Sequence, residues 1–355
     1  MKKTLLLLTM FVLFLNSCAG SESDEGMNIV TYVKLSSSES AVLLGNSIKL
    51  IATDNLNNDV TGQSTFYING ELNSDHNIFV PTHIGEYTIT AKYQSITTKP
   101  LTINSISLTG VNFVHRILFE DFTGTWCGNC PIASARFDKL IEQNNKAVFV
   151  GLHGPTVQTD PFTNEASTAF INQLGIWAYP TILINHIAEW STSNNNYTDV
   201  SFPLQYIQPY SKVGIAINTK LESNVISGDF SIAFAADYSN LKTLIYVVED
   251  QIKYPQHNYF NGSGGKPLLY GGLPIVPDYV NHNVLRALLT PVTGEAIPAN
   301  NSQNNNTYLK NFSYNIPSNF VKENMKIIVA VLNSQNEVIN VREAKVNTTN
   351  ALETL

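Results

Sequence analysis

Asp121-Phe122-Thr123-Gly124-Thr125-Trp126-Cys127-Gly128-Asn129-Cys130-Pro131 is the stretch on which the reading of the fold turns. Residues 114–121 ahead of it have the composition of a strand. Residues 132–142 behind it carry apolar side chains at helical spacing. Residues 147–152 are almost wholly apolar, as a buried parallel strand should be. Strand, helix and strand at this spacing predict a parallel βαβ unit. Residues 166–174 then predict a second helix and residues 181–185 a third strand. A cysteine placed where a helix begins sees unpaired backbone N–H groups and the positive end of the helix dipole. Both favour the thiolate, which is the nucleophilic form. Two intervening residues put Cys130 about one turn beyond Cys127, where its sulfur can attack a mixed disulfide made by the first. Pro131 is early enough in the helix to be tolerated.

Three readings of the pair are open at this point: active thiol–disulfide exchange, an inert structural disulfide, or half of a metal site. A structural zinc takes about four ligands. The chain has three cysteines and no second pair. His153 and His186 are the nearby histidines, and they do not stand at ligand spacing. The metal reading is therefore the weakest, and no metal or organic cofactor is expected.

Further along, Gly175-Ile176-Trp177-Ala178-Tyr179-Pro180-Thr181-Ile182-Leu183-Ile184 follows the second helix. Taken with the Asp-Phe-x-x-x-Trp-Cys-Gly-x-Cys segment, it resembles the active-site segments of thioredoxin-fold proteins. The resemblance implies a cis Tyr179–Pro180 bond, with Pro180 facing the cysteines and aligning a substrate strand. It implies that Cys127 attacks, that Cys130 resolves the mixed disulfide and that Trp126 shields the site. It implies that Asp121 is a buried carboxylate exchanging a proton with Cys130, with a pKa raised by burial as that role needs. Glu120 falls on the opposite sheet face by strand alternation and is left out of the site. His153 follows the second strand, where it would touch the site or stand solvated in a loop; the solvated reading is preferred. Residues 154–165 look like an insertion beside the site.

Residues 118–131 also resemble the outer membrane protein 28 family of surface lipoproteins, which join a thioredoxin-like domain to a C-terminal β domain. Val280-Asn281-His282-Asn283-Val284-Leu285-Arg286 resembles a loop of that second domain. The likeness spans roughly residues 110–350.

The N-terminus reads as an address. Lys2 and Lys3 precede an apolar run of residues 4–15, too short to span a bilayer, which takes about 20 residues. Leu15-Asn16-Ser17-Cys18 resembles the signal of bacterial lipoproteins, which implies acylation of Cys18 and a stable anchor. The expected leader is 1–17, followed by an acidic tether, 18–27. Residues 19–26 resemble the acidic surface-export tag of lipoproteins in Bacteroidota-type Gram-negative cells.

The flanks are β-rich. Residues 28–108 alternate and are punctuated by turns such as Asn69-Gly70. They look like a bacterial Ig-like module, read as a spacer in preference to a carbohydrate-binding or adhesive unit. Residues 209–350 return to strand character at 213–220, 227–238, 243–250, 326–332 and 337–346, with a Gly-, Pro- and Asn-rich span at 254–306. A β-sandwich with a long insertion is expected. The expectation is thus a multidomain β plus α/β protein: an Ig-like β-sandwich, a thioredoxin-like α/β domain over 110–208, and a C-terminal β-sandwich.

Composition narrows the functions. The chain has 355 residues, 43% of them hydrophobic and 14% charged, with a net charge of −7 that becomes −9 once Lys2 and Lys3 leave with the leader. The acidic balance disfavours nucleic acid. Mean hydropathy is −0.03, which excludes a polytopic helical membrane protein. Asn261-Gly262-Ser263-Gly264-Gly265-Lys266-Pro267 is not a phosphate loop, because Phe260 and Pro267 stand where the motif needs glycine and Ser or Thr. Cys127 also lacks the Thr-x-x-Cys context of a peroxidase. Tyr254, Tyr259, Tyr270 and Tyr279 fit either a recognition surface or caps on the β core. The function expected is a lipid-anchored outer-membrane protein exchanging disulfides with extracytoplasmic protein thiols, served by a separate redox partner. The alternative is a surface adhesion or binding lipoprotein whose Cys127–Cys130 disulfide is structural.

Overall fold

The computed structural model describes residues 29–37, 40–155, 160–192 and 195–355. The leader 1–17, Cys18, the tether 18–27 and residues 156–159 of the 154–165 insertion lie outside the described residues. The chain divides into two compact units. Of the described residues, one takes in 29–37, 48–79 and 87–102, and the other 40–47, 80–86 and 103–355.

The first unit is built of antiparallel strands. Val33–Ser37, Ile48–Asp54 and Ile78–Phe79 form one sheet. Ile48, Leu50, Ala52 and Asp54 alternate inward while Lys49 and Ile51 face water, the period of two that a half-buried strand requires. Ser64–Ile68 turns into Glu71–Leu72 through Asn69-Gly70, both at positive φ. That is the backbone a two-residue hairpin needs and the reason Asn-Gly stands there. Phe66, Phe79, Tyr87, Ile89 and Ala91 fill the interior.

The second unit is organised by a nine-stranded sheet. Its path runs Ala188–Glu189, Thr181–Ile184, Ile117–Thr123, Ala147–His153, Val284–Leu288, Lys242–Glu249, Met325–Leu332, Val338–Lys345, with Glu295–Ala296 paired on Lys242–Glu249. Ile117–Thr123 and Ala147–His153 are parallel, joined by helix Pro131–Gln143. Thr181–Ile184 runs antiparallel to Ile117–Thr123. Segments 110–208 and 209–350, read separately from the sequence, therefore share one sheet. The joint is the parallel bridge Gly151↔Val284. Gly151 lets the strands approach closely there, since a Cβ would sit 3.2 Å from the His282 carbonyl oxygen. Asn283 closes the joint by donating from Nδ2 to Phe149 O at 2.9 Å. The 280–286 segment is thus partly strand rather than loop.

Both faces of this sheet are covered, which is why its central strands read as continuous apolar runs. Ile245, Val247, Ile327 and Val329 pack with Ile215, Ile217, Phe230 and Ile232. Those come from a four-stranded sheet of Thr307–Asn315, Val225–Phe234, Val213–Glu222 and Thr349–Asn350. The alternate residues Leu244, Tyr246, Val248, Ile328 and Ala330 face Leu118, Phe122, Val150 and helix Glu165–Leu174 through Phe170 and Ile171. On the far side of Ile117–Thr123, Ile117 and Phe119 pack under helix Pro131–Gln143 through Ala133 and Leu140.

Helix Glu165–Leu174 has explicit ends. Asn164 accepts from Ser167 N, Ser167 Oγ accepts from Asn164 N, and Gly175 closes the helix at φ 67. The 254–306 span also holds more regular structure than its composition suggests. Ile252–Lys253 pairs with Val280–Asn281, and Gln256–His257 with Ile275–Val276. Pro255 separates the two ladders on one strand, and Pro274 and Pro277 bound Ile275–Val276 on the other.

Candidate functional site

Strand Ile117–Thr123 delivers the chain into the turn that carries Cys127. Cys127 N donates to Gly124 O at 3.0 Å, and Cys130 N to Cys127 O at 3.1 Å. Cys130 is the N-cap of helix Pro131–Gln143, with proline in the first turn, where its missing N–H costs nothing. The two cysteines are joined as a disulfide. Both are buried, at 5% and 2% exposure.

Asp121 is 1% exposed, and its Oδ1 has no hydrogen-bond partner. Burial pushes its carboxyl well above the ordinary 3.8, because desolvation penalises the charged form. It faces the side of the sheet that carries helix Pro131–Gln143. Glu120 faces the other way, into a separate cluster with Tyr246 and His186.

The Tyr179–Pro180 bond is cis. Phe122 pairs in register with Thr181, so Pro180 stands beside the strand end that leads into the cysteine turn. Trp126 meets Tyr179 edge-on at 5.4 Å and folds back over Gly124, where a Cβ would sit 2.5 Å from its ring. Trp126 is half-buried, and its Nε1 is without a partner. Beside them lies a groove of about 570 Å³ lined by Asn129, Ile132, Trp177, Tyr179, Pro180 and Phe260, among others. Trp177 stands at 90% exposure.

His153 is not a solvated loop residue. It closes strand Ala147–His153 at 2% exposure, and its Nδ1 lies 3.1 Å from Asp160 Oδ2. Asp160 also accepts from Thr125 N at 2.6 Å and from Phe162 N at 2.8 Å. Burial alone would raise the Asp160 carboxyl, but the His153 interaction and these backbone bonds outweigh it and hold the group below its usual value. One carboxylate therefore ties the cysteine turn to the end of the neighbouring strand. The interaction pairs residues 35 apart in the chain, and nothing local in the sequence marks it.

A second group comes from farther away. Gln256 Nε2 donates to Gly124 O at 3.1 Å and to Cys127 O at 2.9 Å. His257 N donates to Thr125 O at 2.9 Å, and Tyr259 N to Gly128 O at 2.7 Å. Tyr259 packs so closely on Gly128 that a Cβ there would lie 2.5 Å from its ring. Lys266 lies over the Tyr259 and Phe260 rings, with Nζ 3.4 Å from Asn129 Oδ1. Tyr279 is buried, edge-on to Tyr270 at 5.1 Å and hydrogen-bonded to Ser134. Of the tyrosines noted in the sequence, Tyr259 and Tyr279 thus belong to the covering of the site. Among the described residues no cluster of three or more His, Cys, Asp or Glu side chains could hold a metal ion.

The family model described as outer membrane protein Omp28 matches residues 167–350, just over half of the chain. The chain belongs to the Omp28 family of outer membrane proteins. The match takes in Pro180 and the 256–279 covering and stops short of Cys127 and Cys130. No curated protein matches the chain. Among solved structures, HBP35 of Porphyromonas gingivalis is similar at 17% identity and a TM-score of 0.51, covering 67% of this chain and 77% of that one. At that identity the likeness is one of fold. A β-glucosidase from Kluyveromyces marxianus, at 10% identity and a TM-score of 0.21, covers 87% of this chain and 46% of that one, which carries no argument. No helix among the described residues of this Omp28-family chain is long and apolar enough to cross a membrane.

Proposed function

We propose that this Omp28-family protein is a lipid-anchored thiol–disulfide exchange protein acting on extracytoplasmic proteins through a thioredoxin-like site. The observation that carries the reading is Asp121. Its carboxyl is buried with an unpartnered oxygen on the face that carries the cysteine helix, where an ionised carboxyl is costly to hold. Such groups cluster where proton transfer is needed. The cis Tyr179–Pro180 turn beside Cys127 and the groove next to it support the same reading. Acylation of Cys18 would supply the anchor.

In the reducing direction, the Cys127 thiolate attacks a substrate disulfide. One substrate sulfur bonds to Cys127, and the other leaves as a thiolate that takes a proton. Asp121, as carboxylate, accepts the Cys130 proton, and Cys130 attacks Cys127. The mixed disulfide breaks, the second substrate thiolate takes up a proton, and Cys127–Cys130 is oxidised as the substrate gains two electrons. The reverse sequence oxidises substrate thiols. No organic cofactor is needed, and a second thiol protein restores the pair.

The depth of the cysteines favours one other reading, a binding lipoprotein whose disulfide only braces the turn. A Cys130→Ser variant separates the two. Exchange predicts mixed disulfides trapped on Cys127 when the mature chain meets disulfide-bearing proteins, with none on Cys127→Ser. A braced turn predicts no adducts on either, and that result overturns the exchange reading.

A further inference from the structure

We propose that residues 256–260 form a strap that determines what reaches Cys127, and that Gln256 is the positioning residue that latches it. The inference rests on the exchange reading of the same site. The turn carbonyls of Gly124, Thr125, Cys127 and Gly128 all accept hydrogen bonds from the strap, two of them from the Gln256 amide and two from backbone N–H groups of His257 and Tyr259. The Tyr259 ring lies against Gly128, between the two cysteines in sequence. Phe260 packs on Ile132 and Ala135 of the helix that Cys130 caps. Together these leave the disulfide almost without exposed surface.

The strap is built to move apart from the sheet. It is held at its root by ladders of two residues each. It is followed by Gly262, Gly264, Gly265, Gly271 and Gly272, all at positive φ. Segments held by short ladders open at lower free energy than the continuous strands of a core. A thiol therefore reaches Cys127 only after the strap lifts. A polypeptide partner has an advantage over a small thiol, because its own N–H groups can take over the turn carbonyls as the strap leaves.

The test is the rate at which dithiothreitol reduces Cys127–Cys130 in the folded mature chain. In that reaction the disulfide becomes two thiols, and dithiothreitol becomes its cyclic disulfide. Maleimide labelling of the released thiols gives the rate. Gln256→Ala removes the latch, and Tyr259→Ala removes a ring that is 54% exposed, so the second variant keeps its fold. The expected result is slow reduction of the parent and an acceleration of about tenfold in Gln256→Ala, the effect of a net hydrogen bond lost, with a smaller acceleration in Tyr259→Ala. Hydrogen exchange should show faster exchange of the His257 and Tyr259 amides while strand Lys242–Glu249 stays protected. A parent reduced as fast in buffer as in denaturant, or variants no faster than the parent, overturns the strap. So does acceleration that comes with equal loss of protection in Lys242–Glu249. Accelerated variants that never turn over a protein disulfide keep the strap and remove the exchange reading instead.

Discussion

The Trp126 indole stands edge-on to the Tyr179 ring at 5.4 Å, so the residue before Cys127 and the residue before Pro180 hold each other. The phenol end of Tyr179 reaches over Gly154, where a Cβ would lie 2.0 Å from the hydroxyl oxygen. Gly154→Ala should push Tyr179 away and loosen Trp126 with it. Overpacking of this kind costs about 1–3 kcal/mol. Thermal melting checks the cost, and tryptophan fluorescence checks the displacement. An unchanged melting curve and spectrum would show that Tyr179 does not brace the turn.

Asp121 predicts an unusual pH dependence. Its folded pKa lies above the ordinary 3.8 because of burial. Between those two values the native state binds the proton that the unfolded state has lost. The Asp121 contribution to stability therefore falls as pH rises from about 3.8 through the folded pKa, and is flat above it. Asp121→Asn should be more stable than the parent at pH 8 and nearly equal to it at pH 4. Urea unfolding across that range measures the difference. A variant less stable at pH 8 would mean that the carboxylate is paired in the native state.

His186, away from the cysteines, predicts a dependence of the same sign from a buried base, because its folded pKa is also raised. Its Nε2 lies 2.8 Å from Glu120 Oε2 and its Nδ1 lies 3.0 Å from Asn336 O. Both neighbours are acceptor oxygens, which favours the charged form of the ring. Burial opposes that charge, but Glu120 and the Asn336 carbonyl outweigh burial and raise the pKa above 6.5. This stabilisation is complete below pH 6.5 and is lost as pH rises through the folded value. His186→Gln should cost about 3 kcal/mol at pH 6, as breaking one side of a buried pair does, and less at pH 9. Denaturant midpoints at the two pH values decide it, and a cost independent of pH would contradict a charged His186.

The elements around Cys127 were legible because their signals are local. The strand before it, the helix after it and the apolar run at 147–152 each declare themselves within about ten residues. The covering of the site was not. Gln256 meets Cys127 across 129 positions, and Asp160 reaches Thr125 by a side-chain bond with no periodic signature. His153 read as solvated because it sits at a strand end, where burial depends on what folds over it. Thr307–Asn315 carries little strand signal because it lies at a sheet edge with several side chains exposed. That leaves its alternation weak. The shared sheet was hidden for a similar reason: its joint rests on Gly151 and Asn283, neither of which has strand propensity.

The central claim is that Cys127 and Cys130 exchange electrons with protein thiols. The most direct test is the reduction potential of the pair in the mature chain, equilibrated against glutathione until the ratio of dithiol to disulfide stops changing. Exchange predicts a reversible couple that falls between about −270 mV, as in a reductase, and about −120 mV, as in an oxidant. A disulfide that never equilibrates with glutathione while the protein remains folded would contradict it and leave Cys127–Cys130 as a brace.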